Sequence, residues 1–160
     1  MEDVTFYKEI WLKPPHERLK IIRKIRKQYN FVNEQKLVSD VWDLWKTCPE
    51  KSKIVDPYDV KSWLTLWEII SIGEICKYSS ALAASYMIHY MNPSIKIVIC
   101  RVYDKIQNDI YITSLINDTY IILPHNQEVQ LWDSIKENIK IQEVWNISEV
   151  IDIVNHQITT

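Results

Sequence analysis

The chain is almost without glycine: it has one, Gly73, in 160 residues. A glycine-rich phosphate loop needs several backbone positions free of a Cβ, so nucleotide binding of that kind is excluded. Cysteine occurs three times, as Cys48, Cys76 and Cys100, in no CxxC or Cys/His metal spacing. An odd count without a secretion signal reads as reduced thiols in a cytosol. No metal or other cofactor is implied. No apolar run reaches the ~18 residues of a membrane span, and the acidic start MEDVTFYKEIW lacks a signal-peptide core. The expected location is therefore cytoplasmic, with no membrane partner. A strong charge of either sign is also missing. The formal net charge is -2, so the chain as a whole is not built for polyanions.

What is present suits one globular domain over residues 1–160, since 47% apolar residues in a chain of this length can build a core. Ile is the commonest residue and Lys, Asn and Tyr are frequent, a skew that fits an AT-rich genome such as that of a phage, a virus or a low-GC cell. Residues 1–58 read as helical. Pro14 and Pro15 precede HERLKIIRKIRKQYN, and proline is favourable at the first helical position. Ile21, Ile22, Ile25 and Tyr29 make one stripe of that helix. Asn33 is placed to cap a second helix through about Thr47, with Leu37, Val38, Val41, Trp42 and Trp45 at the 3.6-residue period. Asp59 is placed to cap a third, with Val60, Trp63, Leu64, Trp67 and Ile70 on one face. Gly73 then falls where a helix C-cap wants positive φ. A fourth helix is expected from about Ile75 to Met91, ended by Asn92-Pro93.

The period changes after that. SIKIVICRV, DIYITSLI and TYIILP are β-branched runs, and Asn117-Asp118 suits a hairpin turn. Residues 127–160 read as C-terminal helices, one near Val129–Asn138 and one from Ser148, with a strand between them at Ile141–Trp145. The expected class is α+β: a helical N-terminal half packed on a small antiparallel sheet.

Cys76 draws attention because it is expected in the first turn of a helix. Free N–H groups there stabilise a thiolate, and the glycine before it lets the backbone turn sharply. Ser79, Ser80, Ala81, Ala83 and Ala84 behind it allow close packing. The other reading is a small core residue, since free cysteine is often buried.

A Trp-bearing helix, Gly-x-x-Cys, a small-residue helix and antiparallel strands together resemble the transglutaminase-like core of the papain-like cysteine hydrolases. Trp67, Glu68, Gly73, Cys76, Tyr78 and Ala81 stand in the places of that family's W…E…G-x-C run, and the resemblance spans Trp63 to Asn126. It implies a core over 59–126, with 1–58 as a helical extension. It also implies a histidine at the start of the next strand and an aspartate at the end of the strand after that. The chain departs here: Asn108 or Asp109 stands at the first place and Pro124 at the second. Two expectations follow. In an antiparallel hairpin the start of one strand lies beside the end of its partner, so Asp109 and His125 would be neighbours, giving a Cys76–His125–Asp109 triad for acyl chemistry. Alternatively the scaffold has lost its chemistry and serves as a protein-interaction module, the leading expectation.

A third reading concerns the basic helix, where Arg18, Lys20, Arg23, Lys24, Arg26 and Lys27 offer a surface for nucleic acid. No aromatic residue is interleaved with these cations along the chain, so a solvated face is favoured and a protein partner is preferred to nucleic acid.

Overall fold

The computed structural model describes residues 4–52 and 55–159. Val4–Ile10 form α1, Pro15–Gln28 form α2 and Glu34–Trp45 form α3. Pro15 opens α2 as expected, and the side chain of Asn33 caps α3 by accepting from the Lys36 N–H at 2.8 Å. Helix α3 is the central pillar: Leu37, Val38, Val41, Trp42, Leu44 and Trp45 are all buried.

The third expected helix breaks in two. Asp59 caps only a 3₁₀ turn, Val60–Ser62, and the chain restarts at α4, Leu66–Ile72. The reason is a stronger local signal, a capping box. The Thr65 hydroxyl accepts from the Glu68 N–H at 3.2 Å, and the Glu68 carboxylate accepts from the Thr65 N–H at 3.0 Å. Trp63 and Trp67 therefore do not share a buried face: Trp63 is in the core, whereas Trp67 is 36% exposed.

Gly73 ends α4 in the left-handed region at φ 71°, its N–H donating to the Ile69 carbonyl at 2.9 Å. Space matters as much as φ. A Cβ built on Gly73 would lie 1.6 Å from Nη1 of Arg18. That nitrogen donates to the Ile70 carbonyl at 3.1 Å, so a buried guanidinium caps the end of α4. The one glycine is needed both by its own backbone and by Arg18.

The fourth expected helix starts late. Helix α5 is Ser80–Met91, not a run from Ile75. Residues 74–76 are drawn out instead against residues 49–51. The Ile75 N–H donates to Pro49 at 2.9 Å, and the Ile75 carbonyl accepts from Lys51 at 2.8 Å. Helix α5 is buried from Ser80 through Ile88, which explains its alanines and serines.

The strands are β1 (Ile97–Asp104), β2 (Asp109–Ile116), β3 (Tyr120–Ile122), β4 (Gln130–Leu131) and β5 (Ile139–Asn146). They form one antiparallel sheet in the order β4-β3-β2-β1-β5. Asn117 and Asp118 make the expected β2–β3 turn, with φ 51° and 54°. The C-terminal segment keeps its expected strand at Ile141–Trp145, as part of β5, and departs from expectation ahead of it. Its first helix shrinks to α6 (Trp132–Ile135) with a following 3₁₀ turn, and two of its stretches join the sheet before α7 (Ile147–Thr159). The strand alternation explains the two packed faces. Ile97, Ile99, Ile112, Ile116 and Ile122 join the main core with α5. Cys100, Val102, Tyr111, Leu115 and Ile121 form a second cluster roofed by Trp132 and Ile135.

Candidate functional site

Cys76 precedes α5 instead of lying in its first turn. Its carbonyl accepts from the N–H groups of Ser79 and Ser80, both at 3.0 Å, and its own N–H donates to the Ser79 hydroxyl at 3.0 Å. The thiol is 6% exposed and lies 3.6 Å from that same hydroxyl. Ser79 thus holds both the backbone and the sulfur of Cys76. The next residue ties this turn to the sheet, since the Lys77 carbonyl accepts from the Ile112 N–H at 3.2 Å.

A cleft of about 170 Å³ opens at the thiol, lined by Glu50, Cys76, Lys77, Ser80, Gln107, Asp109, Tyr111, Pro124 and His125. All three residues of the expected triad therefore face one cavity. A second depression of about 570 Å³ continues from Glu50, Cys76 and Lys77 toward Ser52 and Tyr78.

Within the cleft the three residues of the expected triad each have a partner other than one another. Asp109 receives the Lys77 ammonium on both oxygens, at 2.8 and 2.9 Å. The hydrogen bond to Asp109 is the main cause that raises the Lys77 pKa, against a smaller opposing effect of burial. His125 has a different carboxylate beside it. Its Nε2 lies 3.9 Å from Oδ2 of Asp104, and its ring meets the Tyr111 ring edge-on with centroids 5.4 Å apart. Among the described residues the Cys76 thiol has the Ser79 hydroxyl as its hydrogen-bond partner, not His125.

Asp104 was not among the residues expected from the sequence. It closes β1 and is 4% exposed. Its Oδ2 accepts from the Tyr111 hydroxyl at 2.6 Å, and its Oδ1 accepts from the N–H groups of Ile106 and Gln107 at 2.9 and 3.0 Å. Burial alone would raise its pKa. The Tyr111 hydroxyl, the two backbone N–H groups and the nearby His125 outweigh that and hold it below the ordinary carboxylate range. A hint was present: Asp104-Lys-Ile-Gln is an Asx-type turn start, and β-hairpin register sets Asp104 opposite Asp109.

Other thiols are shielded. Burial pushes the Cys48 thiol well up and that of Cys100 up to about 12. Ser85 of α5 donates to the Ala81 carbonyl of its own helix at 2.7 Å. Of the basic-helix residues, Arg18 is buried and serves α4, whereas Lys20, Arg23, Lys24 and Lys27 are exposed. Among the described residues no group of three or more His, Cys, Asp or Glu side chains is arranged to hold a metal ion. No helix of the described residues is long and apolar enough to cross a membrane.

The helical half, the cysteine turn ahead of a small-residue helix and the antiparallel sheet define a transglutaminase-like α+β fold. Solved structures of Legionella pneumophila LapG are similar to it in fold. One matches with a TM-score of 0.69 at 9% identity, covering 99% of this chain and 97% of LapG. The calcium-bound form matches at 0.68 and 10% identity, covering 91% and 84%. The EGTA-treated form matches at 0.70 and 8%, covering 98% of each chain. At such identities the likeness is one of fold. No family model and no curated protein matches the sequence.

Proposed function

We propose that the chain is a non-catalytic protein-interaction module of a reducing, cytoplasmic compartment, built on a transglutaminase-like scaffold. The observation that carries this reading is the Lys77–Asp109 ion pair. It stands at the head of β2, where the resemblance calls for a base. Both oxygens of that aspartate are engaged by the Lys77 ammonium, and no imidazole stands where the resemblance calls for one. The cleft also keeps binding capacity. The Ser80 hydroxyl lines it, is 2% exposed and has no partner among the described residues. A buried hydroxyl without a partner costs about 1–3 kcal/mol, which a bound peptide group would recover.

Alkylation of native protein by iodoacetamide, read residue by residue by mass spectrometry, tests the reading. Cys48 and Cys100 stay unlabelled until unfolding because their thiols are buried and their pKa values raised. For a binding module, Cys76 labels at the same rate in wild type and in His125→Ala. A rate that falls about tenfold or more in His125→Ala contradicts it, since that dependence marks a thiolate–imidazolium pair.

A second reading, a thiol hydrolase or acyl transferase, is favoured by one observation: Cys76, His125 and Asp109 line the same cleft. It needs the His125 ring to swing from Asp104 to the sulfur, take its proton and leave the thiolate to attack an acyl carbonyl.

A further inference from the structure

The fold gives helix α2 what the sequence around it lacks. Packing of α2 against α4 and α5 brings Trp67 and Tyr90 beneath its arginines. The two rings lie nearly parallel, with an interplanar angle of 17° and centroids 6.2 Å apart. The Arg26 guanidinium carbon is 5.4 Å from the Trp67 centroid and 6.0 Å from that of Tyr90; the Arg23 carbon is 6.0 Å from Trp67. Trp67 is 36% exposed and Tyr90 38%. Among the described residues no carboxylate pairs with Lys20, Arg23, Lys24, Arg26 or Lys27.

We propose that this face binds single-stranded nucleic acid, with bases stacked on the Trp67–Tyr90 pair and phosphates held by the cations of α2. Three physical points favour that occupant. A guanidinium spends its flat face on a ring while its edge N–H groups stay free for a phosphate. Unpaired bases all present a π-face, so two exposed rings suit a single strand of any sequence, whereas a duplex hides those faces in its own stack. An acidic protein would engage the cations but has no comparable use for the rings. The net charge of -2 does not oppose this, because the cations are clustered on one helix and screening confines the rest to about 10 Å. The face shares no residue with the Cys76 cleft, so it stands or falls separately from the reading of that cleft.

The test is fluorescence anisotropy of a fluorescein-labelled oligodeoxythymidylate of about 12 nucleotides, within the range one stacking surface covers. Expected is saturable binding at low salt that weakens with salt, the logarithmic slope being about -0.7 for each phosphate engaged. Trp67→Ala should weaken it about tenfold, the loss of one base–ring stack. The double variant Arg23→Ala, Arg26→Ala should weaken it and flatten the salt slope. Because Trp67 also packs on its neighbours, Trp67→Leu provides a second variant that keeps bulk and loses the π-face; thermal unfolding checks that each folds. Absence of binding at low salt overturns the proposal. So does equal affinity in wild type and Trp67→Leu with heparin competing through the same arginines, which marks a surface for polyanions or acidic proteins.

Discussion

Asp104 and Asp109 face each other across the last rung of the β1–β2 hairpin, and the fold treats them in opposite ways. Like charges directly opposite on a ladder repel, so each carboxylate is drawn to donors of its own. Asp104 turns inward to one hydroxyl and two backbone N–H groups, beside His125. Asp109 is about two-fifths exposed and holds a lysine. The first is a structural anchor that braces the histidine's side of the cleft. The second closes the opposite side with an ion pair. Four changes test that contrast.

Asp104→Ala should have the largest effect. It removes the charged acceptor of three hydrogen bonds and strands the buried Tyr111 hydroxyl, so urea unfolding should show a loss of about 3 kcal/mol or more. Tyr111→Phe removes one bond to a charged acceptor and should cost about 1.5–2 kcal/mol in the same assay. Acid should separate the two aspartates further. The folded pKa of Asp104 lies below its ordinary 3.8, so its contribution is complete above that value and is lost as pH falls through the lowered one. Stability measured from pH 6 to pH 2 should therefore drop less steeply in Asp104→Asn than in wild type. The smallest effect belongs to Lys77→Met: an ion pair with both side chains more than 40% exposed is worth under about 1 kcal/mol. A loss above about 2 kcal/mol there would erase the distinction between anchor and surface pair.

The features that sequence made legible are those decided within a few residues. Asn33 caps α3, Gly73 takes positive φ and Asn117-Asp118 turns the hairpin, each through its own backbone chemistry. The α+β order and the neighbourhood of Cys76, His125 and Asp109 followed from strand topology. The features that stayed hidden depend on long-range partners. Arg18 reads as one more cation of a polar face; only the approach of the α4 carbonyl end shows it to be buried. Asp104 reads as a loop residue until hairpin register brings Tyr111 onto it. Trp67 reads as core because the helical period runs through it, yet the Thr65 capping box restarts the helix and turns that ring outward. Tyr90 then meets it from another helix, across 23 positions of sequence.

On the proposed reading, the groups around Cys76 hold a partner and carry out no turnover. Ester hydrolysis followed past one equivalent tests it most directly, with p-nitrophenyl acetate added to wild type, Cys76→Ser and His125→Ala. At most a single acylation of the thiol is expected, followed by the same slow steady rate in all three proteins. Sustained turnover in wild type, abolished by both substitutions while the variants remain folded, would contradict it.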